Sequence, residues 1–163
     1  MSRQAASPTW WIIDFDNGVP LGQSEKKRRG NPKCVYFVCE RHSAKPIYVG
    51  EFGKATGYSV ATRIGAHFKS GTLARVTTNL RAFEIPVPSK VRAFVVRLDG
   101  KFANEEKRKS LEAWVIRVVC HERKIQDARF AVIRSQLPKQ GHRYATLART
   151  IVAQFERLAS RTE

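Results

Sequence analysis

The chain has 163 residues, of which 42% are hydrophobic and 27% charged, enough for one domain with a proper core and too apolar for wholesale disorder. Thirty Lys and Arg against 14 Asp and Glu leave a formal net charge of +16, which repels itself unless a polyanion neutralises it, so nucleic acid is the first partner expected. No apolar run reaches the roughly 20 residues of a membrane span, no secretory leader is recognisable, and Cys34, Cys39 and Cys120 lack zinc spacing, so a cytoplasmic protein with reduced thiols and no membrane partner is expected.

In chain order, TWWIIDF (9–15) predicts a strand or an apolar anchor, closed by the turn signal Asp16-Asn17-Gly18. GQSEKKRRGNPK (22–33) predicts a flexible basic connector in which Lys26, Lys27, Arg28 and Arg29 are suited to touch phosphates. Residues 1–33 thus read as an N-terminal arm. CVYFVC (34–39) and PIYVG (46–50) are β-branched and aromatic runs joined by a polar loop, which predicts a hairpin. From Ser59 to Lys69, Val60, Ala61, Ile64 and Phe68 form a helical stripe. Residues 70–89, with Gly71, Pro86 and Pro88, read as an insertion. VRAFVVRL (91–98) predicts a strand ended by Asp99-Gly100.

A second helix is expected over 103–122, with Leu111, Trp114, Val115, Val118 and Val119 as its apolar stripe. Residues 128–137 have no single pattern. Over 144–160, Tyr144, Leu147, Ile151, Phe155 and Leu158 share one side of an amphipathic helix, expected to pack on the sheet. The expected fold is α+β: a small, mainly antiparallel three-stranded sheet ordered hairpin, helix, strand, helix, with helices against it. The core spans 34–137, and 138–163 pack on it.

Two polar features stand out on these elements. At about 100° per residue, Arg63 and His67 fall together on the border of the first helix's apolar arc. On the second helix Glu112 lies between Val119 and Ile116, inside the apolar arc, where a carboxylate must find a cation or hydrogen-bond donors. Glu105 and Glu106 need no such partner, because the first turn of a helix favours acids. Phenols on a hairpin, an Arg/His border and one misplaced carboxylate suit phosphodiester hydrolysis. That reaction needs positive charge on the phosphate, a base for water and support for the leaving oxygen.

CVYFV followed by PIYVG resembles the paired strands of the GIY-YIG nuclease superfamily. Cys34-Val35-Tyr36 stands where its first tripeptide would be, and Tyr48-Val49-Gly50 matches its second. Arg63 and His67 match the arginine and later histidine of the helix that follows, and Glu112 in KSLEAWVI looks like the single metal-binding glutamate. The resemblance covers about residues 34–120. It departs from the pattern in three places: Cys34 replaces a glycine, the stretch from Gly50 to Arg63 is longer, and Gln126 and Asp127 stand where an asparagine often follows. Lys54 resembles a lysine that some restriction-enzyme members bring near the phosphate.

The resemblance implies a divalent-metal-dependent endonuclease cutting DNA, with Mg²⁺ or Mn²⁺ on Glu112 and with Tyr36, Tyr48, Arg63 and His67 as catalytic residues. Tyr36 would be the base or water-positioner, its phenol pKa depressed by Arg63, His67 and Lys54. A homodimer is expected where double-strand cleavage needs two sites. The rival readings are a non-catalytic nucleic-acid-binding protein on the same fold and a ribonuclease.

Overall fold

The computed structural model describes residues 9–22, 33–53, 59–68, 88–128, 130 and 142–163. The basic run 26–29, Lys54, nearly all of the 70–89 insertion and the side chain of His67 lie outside the described residues. Among the described residues there are five strands: β1 (Trp10–Asp16), β2 (Val19–Leu21), β3 (Cys34–Glu40), β4 (Pro46–Phe52) and β5 (Lys90–Arg97). They form one antiparallel sheet in the order β2-β1-β5-β3-β4. The helices are α1 (Val60–Phe68), α2 (Glu105–Arg117), which runs on into a π-helical turn (Val118–Glu122), and α3 (Ala145–Ser160).

The α+β class is as expected, but the sheet has five strands rather than three. The N-terminal arm supplies the two extra ones. Asn17 (φ 47°) and Gly18 (φ 79°) take the left-handed conformations that a tight two-residue hairpin turn requires, and they fold β2 back on β1. β1 then pairs with β5 along its whole length. Val-Pro-Leu carries no alternation of its own and is exposed at all three residues, so the turn, not the strand, makes it β.

Both faces of the sheet are covered. On one, Val35, Phe37, Phe94 and Val96 meet Leu111, Trp114 and Val115 of α2 and Ile151, Val152 and Phe155 of α3. The Phe155 ring stacks on Phe37, centroids 4.3 Å apart and 7° from parallel. On the other, Phe15, Tyr36, Val38 and Val95 meet Val60, Ile64 and Phe68 of α1. Two-sided burial explains why β3 reads as an unbroken apolar run instead of alternating. Among the described residues no helix is long and apolar enough to cross a membrane.

Two contacts tie the N-terminal hairpin to the rest. A Cβ at Gly65 would collide with the Gly18 carbonyl oxygen, so α1 lies pressed against the β1–β2 turn. Across the sheet, Arg92 holds Asp14 through two hydrogen bonds (2.7 and 3.0 Å) and donates a third to the Thr162 carbonyl (2.9 Å). The hydrogen bond from Arg92 holds the Asp14 carboxyl below its usual range, against the opposing effect of partial burial.

A depressed folded-state pKa contributes stability that is present above the unfolded value and is lost as pH falls through the folded one. Asp14→Asn should therefore cost about 1 kcal/mol alike at pH 7 and pH 5. The gap from wild type should close as pH drops below about 4. Urea titrations of both proteins across that range check it.

Candidate active site

The hairpin register sets Tyr36 opposite Gly50 and Val38 opposite Tyr48. Because side chains alternate, Tyr36 and Tyr48 share the α1 face. A Cβ on Gly50 would lie 2.5 Å from both Cζ and Oη of Tyr36, so the phenol occupies the space that the glycine leaves on the edge strand. The two rings sit 5.9 Å apart at 40°, and their hydroxyls share a hydrogen bond. Tyr36 is almost fully buried, whereas Tyr48 is half-buried. Gly50→Ala should displace the Tyr36 ring and cost about 1–3 kcal/mol, on the scale of an overpacked core. Denaturant unfolding measures the cost, and near-ultraviolet circular dichroism reads the tyrosine pair.

Glu112 comes from α2 and is half-buried. Burial pushes both phenols up, and the Glu112 charge pushes them further. Tyr48 rises to about 12, and Tyr36 rises well above the usual range of a phenol. The expected depression of Tyr36 by cationic neighbours is thus reversed in direction. Arg63 does pull Tyr48 down, but burial and Glu112 outweigh it. The reason is local: the fit over Gly50 strips water from the Tyr36 hydroxyl, and Glu112 adds a negative charge.

Arg63 is exposed on α1. Among the described residues its guanidinium makes no hydrogen bond or ion pair. It lines a cleft of about 290 Å³ whose other lining includes Phe52, Gly53 and Ala66, with Glu51 and Arg108 opposite. The structure thus brings the charge of Glu112 within reach of both phenols and Arg63 within reach of Tyr48 at the edge strand. Gln126 and Asp127 lie by the start of β4, where the Asp127 amide donates to the Pro46 carbonyl (3.0 Å). His67, Lys54 and the basic run 26–29 have no described side-chain geometry to add.

Sequence reasoning missed Arg108. This arginine is 3% exposed and donates to Glu51 (2.8 Å) and to the carbonyls of Phe102 and Ala103 (2.8 Å each). A Cβ at Gly53 would collide with its guanidinium. The signal that marks Glu112 marks it too: at about 100° per residue Arg108 lies near Val115, inside the apolar arc.

Among the described residues no group of three or more His, Cys, Asp or Glu is gathered around one point. Glu112 is a carboxylate that could hold a divalent cation together with water. An oxygen donor of that kind fits a hard ion such as Mg²⁺ or Mn²⁺. No protein-family model, curated protein or solved structure matches the chain.

Proposed function

We propose that this protein is a metal-dependent endonuclease that hydrolyses DNA phosphodiester bonds, built on a GIY-YIG-like hairpin. The observation that carries the reading is the meeting of two hydrogen-bonded phenols with the charge of Glu112, beside an exposed arginine. Glu112 would hold the Mg²⁺ or Mn²⁺. Bound there, such an ion would supply positive charge to the phosphate and offset the carboxylate charge that, after burial, helps keep the phenols protonated.

Arg63 has its guanidinium available for a phosphoryl oxygen and can engage it through two parallel hydrogen bonds. The coupled phenols orient the attacking water, and Tyr48 is the easier of the two to ionise because it accepts the shared hydrogen bond as a phenolate. His67, one turn beyond Arg63, is the second candidate for moving the proton.

The raised phenols also favour a second reading. Two tyrosines that stay protonated at neutral pH suit a surface that binds nucleic acid without cutting it. Incubation of the purified protein with supercoiled, linear and single-stranded DNA and with matched RNA, with and without Mg²⁺ or Mn²⁺, separates the readings. Metal-dependent cleavage of DNA supports the nuclease; binding without cleavage supports the alternative.

Binding itself should be strongly salt-dependent in either case. Changing Lys26, Lys27, Arg28 and Arg29 together to Ala should flatten the slope of log K against log salt by up to about 4. An unchanged slope would return that run to a solvated linker.

A further inference from the structure

We propose that the Glu51–Arg108 pair, with its arginine buried, is a positioning device that sets Glu112 against the hairpin phenols. The inference deepens the nuclease reading and rests on it for its kinetic consequence. Its geometric core stands apart from any activity.

The pair joins two elements. Glu51 belongs to the edge strand β4, three residues after Tyr48, and Arg108 to α2, one helical turn before Glu112. Residues four apart on a helix share a face, so Arg108 and Glu112 look the same way. Glu51 and Tyr48 point to opposite faces of β4, so fixing Arg108 to Glu51 sets how α2 crosses the edge strand, and from α2 the charge of Glu112 acts on both phenols.

Several features make this bond hard to slide. The guanidinium is spoken for on three sides, by the Glu51 carboxylate and by the carbonyls of Phe102 and Ala103 in the turn that leads into α2. Gly53 is bare on the fourth, and any side chain there would expel it. An ion pair in this surrounding adds little net stability over an apolar pair of the same volume, but it admits only one register. Apolar packing between α2 and the sheet would tolerate a small slip along β4. The fork of Arg108 does not.

The test uses the full chain with 3-fluorotyrosine introduced only at position 48, read by fluorine NMR at neutral pH. In the wild-type frame Glu112→Gln is expected to move the fluorine resonance, since a charge next to the ring disappears. In the Glu51→Leu/Arg108→Met double variant, chosen because buried pairs are often replaced by apolar ones without loss of folding, the same substitution is expected to move it only slightly. Should the double variant not fold, Arg108→Lys decides: it keeps the charge without the fork, and a reduced response is expected there too.

An equal response in all frames would overturn the proposal. So would no response in the wild-type frame, because Glu112 would then not stand beside the phenol. In cleavage assays the folded variants should lose about 10²-fold in kcat with KM nearly unchanged, on the scale of a reacting group misplaced by about 1 Å. Absence of cleavage by the wild-type protein would remove the nuclease reading alone and leave the fluorine comparison to stand or fall on its own.

Discussion

Glu112→Gln is expected to lower metal-dependent cleavage by at least about 10³-fold, while DNA binding stays unchanged or tightens slightly. The amide keeps the size and most of the packing of a half-buried side chain but removes the charge. Removing a negative charge favours a polyanion, so weaker binding is not expected. The direction of the rate change discriminates between two roles. At present the carboxylate raises both phenols. If that were its whole effect, its loss would ease phenol ionisation and speed a base-catalysed reaction toward alkaline pH. If it holds the cation, cleavage collapses at every pH. Wild-type turnover in Glu112→Gln would remove the residue from the mechanism.

Arg63→Ala should reduce kcat by about 10²–10³-fold, the scale of losing one preorganised donor to a developing charge. Its exposure predicts a stability change within about 0.5 kcal/mol, so a large kinetic effect would not be an unfolding artefact. Arg63→Lys should recover only part of the rate, because an ammonium lacks the planar fork. A pH effect accompanies it: Arg63 pulls Tyr48 down from where burial and Glu112 leave it, so its removal raises Tyr48 further. Any alkaline rise in the rate should then shift to still higher pH in the alanine variant. Full activity in Arg63→Lys would mean that only charge matters at this position.

The parts of this molecule that were legible in the sequence share one property: their pattern is local. The stripe Val60, Ala61, Ile64, Phe68 is buried as drawn, and so is Leu111, Trp114, Val115, Val118, Val119. The C-terminal stripe was right at Tyr144, Ile151 and Phe155. Leu147 and Leu158 pack only partly, while Ala145, Ala148 and Ala159 bring the helix close to its neighbours. Glu112 was visible because a carboxylate in an apolar arc is anomalous without knowledge of its partner.

What stayed hidden depended on pairing. β2 exists through its turn, and Arg108 matters because Glu51 at the end of β4 and Gly53 just beyond it meet it from 55 or more residues away. The direction of the Tyr36 shift followed from the space over Gly50, which no single-residue propensity records. The charge offers a further division. Of the formal excess of +16, the described residues hold 18 Lys and Arg against 12 Asp and Glu, or +6, so +10 lies on segments whose geometry is not described.

β5 has a consequence for how the chain is made. It is the central strand, pairing Val96 with Trp10 on one side and Arg97 with Cys34 on the other. During synthesis, β1–β2 and β3–β4 emerge as two separate hairpins with no common sheet. Each has one apolar edge whose amides and carbonyls wait for a strand that comes about 50 to 85 residues later, from the Glu40↔Val91 pair to the Trp10↔Val96 pair. Closing such long loops makes folding slow, and open apolar edges in the interval invite pairing with other nascent chains. The sheet can form only after residue 97 has left the ribosome. Shortening the chain before that point leaves two hairpins with nothing to join them.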